Sequence, residues 1–309
     1  MPYYVYNHLM KHYYSLNDYY KEKFGWKVYK LSLSSGCSCP NRDGTLDTRG
    51  CIFCSQGGSG EFAESAYLSV TEQLRAAKKR VEQKYKGASY IAYFQPYSNT
   101  YGDPSYLRAL YYEAIAPHCV VGLSVATRPD CLSDEIITLL SQINRVKPVT
   151  VELGLQTIHE STAKYIRRGY PLSVYEEAVE KLHRENIEVV THLILGLPGE
   201  TTQMMLDSVR YVGQHTDGIK LQLLHVIDGT DLAEEYRKGK FKTLSLEEYT
   251  DILCRSIELL PEKVVIHRIT GDGDKRSLIA PLWSADKKRV LNYINSEMDK
   301  RNLVQGSKL

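Results

Sequence analysis

Val-Tyr-Lys-Leu-Ser-Leu (28–33), Ser-Ser-Gly-Cys-Ser-Cys-Pro-Asn-Arg-Asp-Gly (34–44) and then Gly-Cys-Ile-Phe-Cys (50–54) form the stretch whose reading decides the fold. A short strand-like run ends, and thiols follow at once. In a parallel α/β sheet, chemistry collects beyond the C-terminal ends of the strands, so thiols in that place read as a site. Three of them, Cys39, Cys51 and Cys54, suit a four-iron cluster whose last iron is left to a ligand from outside the protein. Adding Cys37 gives four thiols and the competing reading, a structural zinc site. Cys51-x-x-Cys54 alone is common to zinc knuckles and redox pairs. The single residue between Cys37 and Cys39 is tighter than zinc hairpins favour, and Phe53 suits the shielding of an iron–sulfur cluster.

Working outward, apolar runs recur at Val28–Leu33, Tyr90–Phe94, Val120–Val125, Val149–Leu153, Ile187–Leu195 and Gly218–Leu224. Helical patterns separate them, at about 66–85, 104–116, 133–144, 159–168, 172–185 and 201–214. Strands alternating with helices imply parallel pairing through right-handed crossovers. Six such units fall short of a closed eight-fold barrel, and a doubly wound sheet is open on pattern alone. Polar residues and glycines stand at all six strand ends, among them Gln95 to Tyr101, Thr127 to Asp130, Gln156, Gly196 to Glu200 and His225 to Thr230. That favours a partial (β/α)6, TIM-like barrel spanning 27–240, with an N-terminal Tyr-rich extension (1–26) and a C-terminal extension (241–309). The latter is expected to hold a helix at 244–260, a strand at Val264–Ile269 and a helix around 284–300.

The 309 residues, 43% hydrophobic and 25% charged, are enough for a large core and exclude disorder. No apolar run approaches the roughly 20 residues of a bilayer span, and the N-terminus lacks a basic start and an apolar segment. A cytoplasmic protein with reduced cysteines is expected, with Cys119, Cys131 and Cys254 as packing residues. A net charge of +2 argues for no particular partner. Local basic clusters (Arg75, Lys78, Lys79, Arg80, Lys84 and Lys86; Lys287, Lys288 and Arg289) read as solvated helix faces or as phosphate contacts. Seven of the 24 tyrosines fall in the first twenty residues, as a packing appendage or as stacking platforms for bases.

Five motifs occur in order at strand ends: Cys-Pro-Asn-Arg-Asp-Gly (39–44), Gly-Cys-Ile-Phe-Cys (50–54), Thr-Arg-Pro-Asp (127–130), Val-Glu-Leu-Gly-Leu-Gln (151–156) and Leu-Gly-Leu-Pro-Gly-Glu (195–200). Together, from about Phe24 to Leu291, they resemble the YhcC/YtqA-type radical S-adenosylmethionine (SAM) proteins. These look like relatives of the catalytic subunit of elongator and, further off, of the oxygen-independent coproporphyrinogen oxidases. Eleven residues separate Cys39 from Cys51, where the commonest radical SAM pattern has three. The YhcC-type proteins share the longer spacing, and Cys37 lies outside their motif.

The resemblance implies a radical SAM barrel with a [4Fe-4S] cluster on Cys39, Cys51 and Cys54. SAM would bind at the open iron and be cleaved to a 5′-deoxyadenosyl radical. Gln95, Ser98 and Asn99 would stand in for the glycine-rich turn that faces the SAM amino group in many relatives. Gln156 and Arg168 look like a Gln and an Arg of the coproporphyrinogen oxidase pattern that meet SAM, with Arg168 as a bidentate carboxylate clamp. Thr127, Arg128, Glu152 and His192 complete the expected cofactor contacts; Glu152 points into the barrel or at a helix, and His192 is a cofactor or a core residue. Gly196 and Gly199 would admit adenine, and His225, His267 and Arg268 would face substrate. The implied partners are transfer RNA, modified at the C5 side chain of the wobble uridine, and an electron donor such as flavodoxin or ferredoxin. About 50 residues follow the helix ending near Leu260, so an elongator-style acetyl transfer is not expected. A small-molecule radical SAM enzyme and a zinc-binding RNA module are the rival readings.

Overall fold

Along each strand, alternate side chains serve different masters, and this period of two shapes the molecule. Leu31 and Leu33, Ala92 and Phe94, Val151 and Leu153, and Ile219 and Leu221 go outward into one continuous core under the helices. The residues between them, such as Ser32, Tyr93, Glu152 and Lys220, go inward and line a cavity. The computed structural model describes residues 12–58, 60, 63–83, 89–271, 273 and 275–309.

The strands are β1 (Val28–Leu33), β2 (Ser89–Phe94), β3 (Val120–Thr127), β4 (Val149–Gln156), β5 (Glu188–Leu195) and β6 (Gly218–Leu223). They pair in chain order, every neighbour parallel. The connecting helices are α2 (Val70–Glu82), α3 (Pro104–Ile115), α4 (Asp134–Asn144), the short α5 (Glu160–Tyr165) with α6 (Leu172–Arg184), and α7 (Thr202–Gly213). Their starts are written in the sequence. Ser69 and Glu72 form a capping box, Asp103 caps α3 just before Pro104, and Thr201 caps α7. The capping box explains why α2 begins four residues later than its periodicity suggested.

The C-terminal segment is not a separate appendage. After α8 (Asp231–Arg237) and α9 (Leu246–Glu258), β8 (Val265–Arg268) pairs in parallel with β6 as a seventh strand. The barrel is therefore an open sheet of seven strands, one more than the six-unit expectation. A small antiparallel pair, β7 (Val226–Ile227) with β9 (Leu278–Ala280), folds beside its mouth, and α10 (Lys287–Lys300) closes the chain.

Helix α1 (Leu16–Phe24) packs at the opposite end of the barrel from the thiols. Tyr20 is buried against Val28 and Ile91, where β1 and β2 begin, and the Tyr19 hydroxyl bonds Glu188 at the start of β5. The described part of the tyrosine-rich segment is thus packing, as the blander reading had it. Tyr3, Tyr4 and Tyr6, like Lys84 and Lys86, lie outside the described residues. Among the described residues no helix is long and apolar enough to cross a membrane.

Candidate active site

One cavity of about 460 Å³ occupies the barrel interior, within the range of ordinary small-ligand sites. Cys39, Cys51 and Cys54 line it together with Phe53, Gln95, Ser98, Thr127, Arg128, Glu152, Gln156, Arg168 and His192. Cys37 does not line it. Its sulphur lies 3.1 Å from where a side chain on Gly102 would begin, and it packs against the core.

The thiol loop is held by its own backbone and by two polar side chains. Gly50 N donates to Asn41 O (2.7 Å) and Leu46 N to Pro40 O (2.8 Å), folding the long Cys39–Cys51 spacing back on itself. Arg42 donates to the carbonyls of Cys54 (2.8 Å) and Ser55 (2.6 Å). Burial pushes the Cys51 thiol up to about 11, and the charges of Cys54 and Cys39 add to the rise. The three sulphurs therefore sense one another. Yet among the described residues no three His, Cys, Asp or Glu side chains converge closely enough to hold one ion. Tetrahedral zinc needs such convergence, at about 2.3 Å to each sulphur, whereas a cluster takes its thiolates on separate irons. The donor set fits a cluster better than zinc.

The floor is ionic. Glu152 is fully buried and points into the barrel, accepting hydrogen bonds from Tyr93 (3.0 Å), Ser124 (2.8 Å) and His192 Nε2 (2.8 Å). It also pairs with Lys30 on one oxygen and Lys220 on the other. Burial alone would raise its pKa; Lys220, Lys30 and His192 outweigh that and hold the carboxyl well below its usual value. His192 is half-buried, and desolvation with the charge of Lys220 lowers its pKa to about 4. It is neutral at pH 7, and its Nε2 proton points at Glu152. Lys220 is lowered to about 7 by burial, with Lys30 and Arg268 opposing Glu152.

Several expected cofactor contacts are already engaged within the protein. Asn99 is buried outside the cavity lining: its amide donates to the carbonyls of Phe94 (3.0 Å) and Ala126 (2.8 Å) and accepts from Ser35 (2.6 Å). It ties β2 to β3, with its amide engaged within the protein. Arg168 reaches the wall but spends its fork on the carbonyls of Tyr170 (2.9 Å) and Thr157 (2.6 Å) and on Glu160 (3.1 Å). The predicted bidentate clamp is therefore not available. Arg128 is likewise paired with Asp130 through both nitrogens (2.9 and 2.7 Å). The two guanidiniums lie 5.1 and 4.8 Å from the ring centre of Tyr170, which stiffens this wall. Gly196 is also outside the lining; its N–H donates to Met205 Sδ (3.0 Å), and a side chain there would meet Leu244 at 3.0 Å.

Other expected residues remain well placed. Gln156 sits at the end of β4 with a left-handed φ of 67°, where the β4–β5 register shifts. Such strain in a non-glycine residue marks a functional turn. With its amide turned to donate, it bonds the carbonyls of Gly154 (2.7 Å) and Leu155 (2.9 Å). Ser98 is fully buried, and its hydroxyl has no oxygen or nitrogen partner; the Cys131 thiol is its neighbour. Thr127 shares a 2.6 Å hydrogen bond with Thr100. His225 and Arg268 line the cavity, while His267 lies against Gly218 and does not. Sequence reasoning missed Lys30, Tyr93, Ser124 and Lys220. The available signal was a lysine inside each of two strands, at an inward position next to an outward leucine, Leu31 or Leu221.

The profile of the Radical SAM superfamily matches residues 48–212, and that of the Radical SAM C-terminal domain residues 216–300. The chain belongs to the radical SAM superfamily. This radical SAM protein is 42% identical over 302 residues to YtqA of Bacillus subtilis, covering 97% of this chain and 94% of that one. It is 29% identical over 161 residues to the tRNA uridine(34) acetyltransferase of Methanocaldococcus infernus, covering 51% of this chain and 30% of the other. The solved Elp3 of Methanocaldococcus infernus shares the fold at a TM-score of 0.70 and 18% identity, over 90% of this chain and 64% of that one. The chain thus spans only part of the last two proteins.

Proposed function

We propose that this radical SAM protein holds a [4Fe-4S] cluster on Cys39, Cys51 and Cys54, binds SAM at the remaining iron, and acts on the C5 side chain of the wobble uridine in transfer RNA. The observation that carries the reading is that three thiols and a buried ionic floor are two ends of one cavity. The partial similarity to a protein named for uridine 34 of transfer RNA supports the substrate class.

When bound, the cluster supplies the electron that splits SAM into methionine and a 5′-deoxyadenosyl radical. The chain's own residues bind, orient and shield. Phe53, packed among apolar neighbours beside the thiols, keeps water from that end. Gln95, Ser98, Thr127 and Gln156 offer polar groups along the wall to the cofactor. Arg128, Tyr170 and Arg168 act as a rigid backing, with their charges satisfied within the protein. On the floor, Lys220 Nζ is the group able to give or take a proton near pH 7. A flavodoxin or ferredoxin is the expected electron donor, from the same chemistry.

Mass spectrometry of transfer RNA nucleosides tests the substrate. Cells lacking this protein should accumulate a wobble uridine with an unremodelled C5 substituent, restored by the wild-type gene. An unchanged nucleoside profile would favour a small-molecule substrate for the same radical chemistry.

A further inference from the structure

Beside Cys51, outside the cavity lining, stands a motif residue to which no role has yet been given. Asn41 is 1% exposed. Its Nδ2 lies 3.4 Å from Cys51 Sγ and 2.7 Å from the carbonyl oxygen of Arg167. Nδ2 also lies 3.4 Å from the Arg168 carbonyl oxygen: of its two hydrogens one serves the close Arg167 carbonyl, and the other lies between Cys51 Sγ and the Arg168 carbonyl. The residue is clamped in this pose. Its backbone oxygen accepts from Gly50 N (2.7 Å), and Gly169, with a φ of 85°, brings the Arg168–Gly169 turn so close that a side chain there would stand 2.8 Å from Asn41 Oδ1.

The Cys51 thiol has a second neighbour, the same Arg167 carbonyl at 3.6 Å. Iron takes a thiolate, so ligation removes the proton that the thiol directs at that carbonyl. The carbonyl keeps its partner because Asn41 already donates to it. The sulphur, now carrying negative charge, draws the other hydrogen of the same amide away from the Arg168 carbonyl. Asn41 thus suits the ligated state of Cys51 better than the protonated one.

We infer that Asn41 is a positioning residue for the cluster: its side-chain amide donates a hydrogen bond to the sulphur of Cys51 and raises the reduction potential of the bound cluster. Hydrogen bonds to ligand sulphurs stabilise the more negative, reduced form, which is the protein's usual means of setting such potentials. The long loop between Cys39 and Cys51 would then do more than space two ligands, since it carries the donor that serves the second. The inference rests on the cluster proposed above.

Anaerobic reconstitution followed by redox titration, read by electron paramagnetic resonance of the reduced cluster, tests it on wild type, Asn41→Ala and Asn41→Asp. The expected order of midpoint potentials is wild type, then alanine, then aspartate, whose carboxylate faces the sulphur. Equal iron content with equal midpoints would overturn the inference and leave the cluster standing. A wild-type chain that takes up no iron and sulphide would overturn the cluster itself. Should either variant fail to fold or to load, wild-type protein carrying ¹⁵N-asparagine decides: side-chain nitrogen coupling to the reduced cluster supports the inference, and its absence refutes it.

Discussion

The two ends of the cavity are built by opposite means. At the mouth, three thiols sit within sixteen residues of one another on a single loop, shaped by that loop's own hydrogen bonds. At the floor, Lys30, Tyr93, Ser124, Glu152, His192 and Lys220 come from six different strands and meet only because the sheet curls. The mouth is chain-local and, on the function proposed, would be completed by a cluster that the chain does not itself supply. The floor is non-local and already complete, with every lone pair of one carboxylate in use. Damage at the mouth should therefore cost function with little cost to the fold, and damage at the floor should cost the fold.

The sharpest way to break this contrast lies at the mouth. Cys39→Ala, Cys51→Ala and Cys54→Ala should each take 5′-deoxyadenosine formation by reconstituted protein to background, while Cys37→Ala remains active and all four apo-proteins melt near wild type. An inactive, iron-free Cys37→Ala would undo the assignment of three ligands.

At the floor, Glu152→Gln leaves Lys30 and Lys220 facing each other without their anion, and should cost about 3–5 kcal/mol in denaturant unfolding. A cost near zero would mean that the floor is held by packing alone.

Acid should find the floor next. His192 takes a proton near 6.5 when unfolded but only at about 4 when folded. The unfolded state therefore binds more protons between those values, and stability falls as pH drops from 6.5 to 4. That gap is worth on the order of 3 kcal/mol. His192→Gln should flatten the decline, and an unchanged slope would assign it to other groups.

The smallest effect concerns neither end. Replacing Arg75, Lys78 and Lys79 on α2 together should weaken transfer RNA binding and lower the slope of log affinity against log salt by about 2. Unchanged affinity would remove that helix face from the RNA path.

The same contrast explains what the sequence made legible. Strands announce themselves by local composition, so six of seven barrel strands could be read, while the choice of a partial barrel over a doubly wound sheet needed the polar residues at their ends. The thiol motif is local too, and its position at the first strand end follows from the run before it. β8 is short and follows two further helices, so the run at Val264–Ile269 was visible while its place in the barrel was not. The internal partners of Asn99 and Arg168 were not legible for one reason: a strand-end position says that a donor is near the site, not that nearby carbonyls already occupy it. Lys30 and Lys220 went unread because each is an isolated lysine, and only three-dimensional closure gives it a carboxylate.

The seventh strand has a further consequence, for the edge of the sheet. Ile266 N donates to the Tyr14 carbonyl, Gln305 accepts from Tyr14 N and donates to the Pro261 and Val264 carbonyls, and the His12 ring meets the Leu303 carbonyl. The strand that finishes the sheet is thus buckled in place by Tyr14 and Gln305, 291 residues apart. Until that buckle closes on β8, the half-barrel presents β6 as a bare edge, open to pairing with any neighbouring chain.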